Sequence, residues 1–70
     1  MENNHAMRPH TLLDKILHEV NTIWGKLPDR VKVLFAADRF IALDPDSPLE
    51  LRLAHARNFI SRYRKLNFTP

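Results

Sequence analysis

Two proline-containing breaks, at Gly25–Pro28 and Asp44–Pro48, divide this chain into three stretches, each long enough for one helix. Proline disrupts the interior of a helix but is favoured in its first turn, where Pro28 and Pro48 would lie. Within each stretch, apolar residues recur three and four positions apart, as they do on the buried face of a helix. A single glycine and the lack of sustained alternation argue against a β fold. We therefore predict an all-α protein, a compact three-helix bundle.

The first predicted helix runs from about Leu12 to Trp24, and residues 1–10 before it are predicted to form a flexible N-terminal arm. The apolar stripe of this helix consists of Leu13, Ile16, Leu17, Val20 and Trp24. Gly25 follows directly, and glycine commonly ends a helix in the left-handed conformation. We expect Gly25 to do so here, with Pro28 blocking any continuation.

The second predicted helix, from Pro28 to about Leu43, has apolar residues on two sides. The broader side, which we expect to face the core, carries Val33, Leu34, Ala36, Ala37, Phe40, Ile41 and Leu43. A second strip consists of Val31, Phe35 and Ala42. One interpretation makes Val31 and Phe35 partner-binding residues, with Phe35 as the anchor. The other is that a middle helix touches both of its neighbours and buries apolar residues on both sides.

The sequence Ser47–Pro48–Leu49–Glu50 predicts the start of a third helix. Serine three positions before glutamate forms a capping box, and proline suits the first helical position. This helix is predicted to reach about Leu66, so that the three-helix domain spans residues 11–66 and a C-terminal tail covers residues 67–70. Its apolar stripe consists of Leu49, Leu53, Ala56, Phe59, Ile60, Tyr63 and Leu66.

Positive charge is concentrated at one end of the chain. The last twenty residues carry five basic side chains and no acid, whereas the first fifty carry six basic residues and eight acids. The candidate partner-binding residues on this helix are Arg57, Arg62, Arg64 and Lys65, which suit an acidic protein surface or phosphates. Basic residues near a helix C-terminus also stabilise the helix dipole, which is the purely structural alternative.

Direct binding of nucleic acid by the third helix meets two objections. A recognition helix of the helix-turn-helix type contacts base edges from its N-terminal residues, and here residues 48–51 are apolar or acidic. Stacking on single strands requires exposed aromatic rings, whereas Phe59 and Tyr63 lie on the apolar stripe. Nucleic-acid binding through the basic face therefore ranks as the alternative to protein binding.

The composition gives little support to catalysis or cofactor binding. The chain has no cysteine, which removes disulfides, thiolate metal sites and a cysteine nucleophile. Its four histidines lack metal-ligand spacing, and one glycine cannot make a glycine-rich phosphate loop. No apolar run approaches the ~18 residues of a membrane span, and the N-terminus lacks the apolar stretch of a secretory signal. We predict a non-enzymatic, cytoplasmic protein with no cofactor, no metal and no membrane partner.

One set of residues within the first two predicted helices consists of Thr11, Leu12, Ile16, Leu27, Pro28, Asp29, Val33, Ala36, Ala37, Asp38, Ala42 and Leu43. This set resembles the middle of the Hha/YmoA family, small all-helical enterobacterial proteins that modulate nucleoid-associated repressors by binding them. The resemblance covers less than half of the chain and requires a gap. Residues 1–10 offer no counterpart to the family's first helix, and the basic C-terminal helix departs from the family, so no functional residue is carried over.

Taken together, these features predict a small regulatory or adaptor protein that binds a larger protein with an acidic surface, in the machinery of transcription or replication. Direct binding of nucleic acid through the basic face of the third helix is the alternative. A third hypothesis is a homodimer in which the Phe35 strip is covered by a second copy.

Overall fold

The computed structural model describes residues 9–67, which form three α-helices and no strand. Helix α1 spans Pro9–Lys26, α2 spans Asp29–Leu43 and α3 spans Leu49–Asn67. The predicted all-α, three-helix fold is confirmed. Most of the predicted N-terminal arm lies outside the described residues, but Pro9 and His10 belong to α1. The first helix therefore begins three residues earlier than its apolar pattern indicated.

Helix α1 continues through Gly25, so the predicted left-handed cap at this glycine is wrong. Gly25 does not have a positive φ, and the helix ends one residue later, at Lys26. The backbone N–H of Leu27 then donates to the carbonyl of Trp24 at 3.2 Å, and the Leu27 side chain is buried in the core. Packing of Leu27, together with Pro28 behind it, therefore ends the helix without any left-handed residue.

The connection between α2 and α3 is organised by Asp44. Oδ1 of Asp44 accepts from the backbone N–H of Asp46 at 3.0 Å, and Oδ2 accepts from the Ser47 hydroxyl at 2.9 Å. The predicted role of Ser47 as the cap of α3 is corrected, because α3 begins at Leu49 and the residue directly before it is Pro48, whose carbonyl accepts from the backbone N–H of Arg52. The Ser47 hydroxyl instead donates back into the turn. The backbone N–H of Asp46, followed by the Ser47 hydroxyl, holds the pKa of Asp44 below its usual value.

Helix α3 lies at the centre of the fold. Both α1 and α2 pack mainly against α3 and have little contact with each other. The core consists of Leu13, Val20, Ile23, Leu27, Phe35, Ala42, Ala56, Phe59 and Ile60. At its middle, the rings of Phe35 and Phe59 meet edge to face with centroids 5.1 Å apart. The second helix does touch both neighbours, but its contact with α1 is small, and the helix that packs extensively against the other two is α3.

Helix α2 is turned the opposite way from the prediction. The broad apolar side that was expected to face the core is largely exposed, with Val33 at 74% exposure and Phe40 at 72%. The buried residues of α2 are Phe35, Asp38 and Ala42. The second strip, for which the sequence left both partner binding and core packing open, therefore packs in the core. The carboxylate of Asp38 lies beside it on the same buried side of α2.

Candidate functional site

A groove between α1 and α3 brings together three of the predicted site residues. The residues that line it are Ile16, Glu19, Arg57, Ile60, Ser61, Arg64 and Lys65, and its volume is about 460 Å³. Arg57, Arg64 and Lys65 share a line of the groove because they are seven and eight positions apart on one helix. We call the groove lined by these seven residues the basic groove.

The basic groove has an apolar floor and a charged rim. Ile60 is buried and Ile16 is half-buried, so the floor is formed by aliphatic side chains from both helices. Arg57 and Arg64 are exposed on the α3 side, and Glu19 is the single acid among the lining residues. Three cations against one carboxylate make the groove electropositive, which favours an anionic ligand with an apolar side.

Arg62 does not belong to this groove. Its guanidinium donates to Oδ2 of Asp38 at 3.0 Å and lies 5.0 Å from the centroid of the Phe35 ring. These contacts place it on the side of α3 that faces α2, where it supports the fold. Arg62 therefore has a role in the fold, and its binding of a partner stays a prediction.

Asp38 is a buried charged residue, with 6% of its surface exposed. It accepts from Nδ1 of His55 at 2.8 Å, from Nδ2 of Asn58 at 3.0 Å and from Arg62. Burial alone would raise the pKa of Asp38, but the bonds from His55, Asn58 and Arg62, with the guanidinium charge, outweigh burial and lower that pKa. We call these four residues the Asp38 cluster.

The sequence does carry a signal for the Asp38 cluster. His55, Asn58 and Arg62 are spaced i, i+3 and i+7, so they form a polar line on one side of α3. On the facing helix α2, the carboxylate of Asp38 accepts hydrogen bonds from all three side chains. A polar line of donors beside an apolar stripe could have been matched to Asp38, and that match would have given the orientation of α2.

The two predicted site residues on α2 have core positions. Phe35 is 1% exposed, and Val31 is half-buried and packed against the core. A side chain this buried cannot anchor a partner while the domain stays folded, so Phe35 is corrected to a core residue. The exposed apolar surface of α2 lies on its other side, at Val33, Leu34, Ala36, Ala37 and Phe40. We call these five residues the outer face of α2.

Trp24 is covered by two cations from α2. Nζ of Lys32 lies 5.3 Å from the ring centroid, and the guanidinium carbon of Arg39 lies 4.5 Å from it. Nε of Arg39 also donates to Oδ1 of Asn21 at 3.3 Å. The indole therefore joins the edges of α1 and α2 and is not an open platform on which a base could stack.

Between residues 9 and 67, no group of three or more His, Asp or Glu side chains is placed to hold a metal ion. Within the same part of the chain, no helix is long and apolar enough to cross a membrane. Comparison of the sequence with models of protein families and with known proteins, and of the fold with solved structures, gives no significant match. The resemblance to the Hha/YmoA family therefore contributes nothing to the function proposed below.

Proposed function

We propose that this protein is a small, non-enzymatic adaptor that binds an acidic segment of a larger protein in the basic groove. The observation that supports this proposal is the combination of an aliphatic floor, Ile16 and Ile60, with a rim formed by Arg57 and Arg64. A segment that presents apolar residues on one side and carboxylates on the other would satisfy both parts of the groove. This is the way in which an amphipathic helix lies in a groove of a binding protein.

Binding of nucleic acid through the same face is the alternative. Phosphates would suit Arg57 and Arg64, but the aliphatic floor of the groove would then have no apolar partner. The aromatic residues of α3 offer no stacking surface, because Phe59 is fully buried and Tyr63 is half-buried. These features favour a protein ligand over a nucleic acid.

The proposal includes a cellular context. A formal net charge of +3, concentrated on one helix, suits a cytoplasmic protein that works beside polyanions. We therefore propose a component of the transcription or replication machinery as the partner.

The proposal is tested by reversing charges inside and outside the groove. The variant Arg57→Glu/Arg64→Glu changes two groove residues, and Lys15→Glu/Lys26→Glu makes the same change of charge at two exposed positions of α1 that do not line the groove. Each protein is used as bait in extract of its native host, treated with nuclease, and the captured proteins are identified by mass spectrometry. Circular dichroism verifies that both variants are folded.

We expect wild type and the Lys15→Glu/Lys26→Glu control to retain the same protein partner after nuclease treatment. The groove variant should lose it, with affinity for the purified partner reduced by about tenfold or more. Capture that disappears with nuclease would favour the nucleic-acid alternative. Equal loss in both variants would mean that net charge, and not the groove, determines binding.

A further inference from the structure

The outer face of α2 exposes an apolar surface that the fold does not use. Val33 is 74% exposed, Leu34 59% and Phe40 72%, and Ala36 and Ala37 between them are exposed as well. Scattered apolar residues on a surface are ordinary, but a contiguous patch on one helix usually marks an interaction site. This patch is separate from the basic groove, because α2 contributes no residue to the groove.

The spacing within this face is that of a seam between two helices. Val33, Ala37 and Phe40 are four and three positions apart, so they form one line along the helix. A small residue, Ala37, lies at the middle, with larger side chains on both sides of it. In an antiparallel pair with its two-fold axis at Ala37, Leu34 faces Phe40 of the second copy. Two helix axes can approach closely at the alanines while the larger side chains interdigitate on either side.

The charges at the two ends of α2 select the antiparallel direction. Arg30 is exposed near the N-terminal end, and Asp44 lies at the C-terminal cap. Near Arg30, Asp29 lies 3.8 Å from Lys32 and is balanced by it. The Asp44 carboxylate is ionised at neutral pH, as an ordinary aspartate is, and the bonds that it accepts from Asp46 and Ser47 hold it in place at this end. An antiparallel pair places Arg30 beside Asp44 of the second copy, whereas a parallel pair places like charges together.

We propose that the outer face of α2 is the interface of a homodimer, in which two α2 helices pack antiparallel about a two-fold axis at Ala37. The face is self-complementary in shape and in charge, which is what a two-fold interface requires. Its five residues are fewer than the roughly 20–30 residues that each partner contributes to a standard interface, so the dimer is weak and depends on concentration. Each copy keeps its basic groove open, and the dimer therefore presents two grooves.

The oligomeric state is tested by sedimentation equilibrium over a range of protein concentrations. The test variant, Ala37→Glu, places a charge on the proposed two-fold axis, and Ala54→Glu makes the same change at an exposed alanine of α3. We expect wild type and Ala54→Glu to shift from the 8.2 kDa monomer towards twice that mass. Ala37→Glu should remain monomeric and folded by circular dichroism. A monomeric wild type at millimolar concentration, or dimerisation of Ala37→Glu, overturns the proposal.

The direction of packing is tested separately by cysteine crosslinking, which is simple because the chain has no cysteine of its own. Ala37→Cys should form a disulfide-linked dimer on mild oxidation, since both copies of the residue meet at the axis. Arg30→Cys should not, because its two copies lie about 21 Å apart along the antiparallel pair. Ala54→Cys serves as the control for random collision. Crosslinking of Arg30→Cys above that control indicates a parallel pair and overturns the antiparallel arrangement.

Discussion

At the scale of single residues, Asp38 determines which side of α2 faces the core. Its carboxylate receives three donors from one side of α3, and a buried carboxylate is tolerated only when such donors satisfy it. The count of apolar residues favoured the opposite side of α2. The Asp38 cluster and the Phe35–Phe59 contact together select the observed side.

The Asp38 cluster predicts how stability depends on acid. Because the pKa of Asp38 is lower in the folded protein than its ordinary value of 3.8, the unfolded chain takes up the proton first as the pH falls. The contribution of Asp38 is therefore complete above about pH 4 and is lost as the pH falls through the folded pKa. Urea unfolding between pH 2 and pH 7 should show this decline.

The matched variant is Asp38→Asn, which keeps the shape of the side chain and removes its charge. At pH 7 we expect it to unfold with about 1–3 kcal/mol less free energy, because charge-assisted hydrogen bonds are lost. The free energy of unfolding of this variant should fall less steeply with decreasing pH than that of wild type. Asp44, whose pKa is also lowered, should supply part of the remaining pH dependence. An identical acid slope in the variant and wild type would place the titrating group elsewhere.

At the scale of the helices, the proline signals were informative and the glycine signal was misleading. Pro28 and Pro48 each directly precede a helix, which is why three helices could be predicted with nearly correct starts. Gly25 failed as a stop signal because α1 is ended by the packing of Leu27, which is a tertiary effect. The prediction of which side of α2 faces the core was wrong for a related reason. When a helix is apolar on two sides, the helix that it packs against determines which side is buried.

Gly25 therefore destabilises α1, because glycine is a poor helix former, and it does not form the C-cap of the helix. It is helical, and a Cβ built at this position has no atom within 4 Å. Replacing it with alanine should raise the free energy of unfolding by about 0.4–1 kcal/mol, because the unfolded chain loses backbone freedom. A higher midpoint in thermal unfolding at unchanged helix content would verify this. A lower midpoint would mean that Gly25 needs its conformational freedom after all.

At the scale of the whole molecule, one small core unites the three helices through α3. Phe35 from α2, Phe59 from α3 and Val20 from α1 are its largest fully buried side chains. A domain of this size has only a few kcal/mol of stability to lose. Helical spacing predicted Val20 and Phe59 as core residues and left Phe35 open between core and partner binding. It could not show that the last helix, and not the middle one, holds the other two together.

Phe35→Ala should therefore unfold most of the population. Removal of a buried phenylalanine costs about 3–5 kcal/mol, and the helical signal of all three helices should decline together in far-ultraviolet circular dichroism. Phe40→Ala is the matched control, because Phe40 lies on the same helix but is 72% exposed. Measured at low concentration, where the protein is monomeric, this control should change stability by about 0.5 kcal/mol or less. Equal effects of the two substitutions would contradict the orientation of α2.

The central position of α3 also leads to an expectation for the order in which the helices assemble. Joining α2 to α3 closes a loop of only five residues, 44–48, whereas joining α1 to α3 encloses residues 27–48, with the whole of α2. Loop-closure entropy makes the second step costlier by about 1 kcal/mol. We therefore expect the α2–α3 hairpin, held together by Asp38, to form first, and α1 to complete the core by docking onto it.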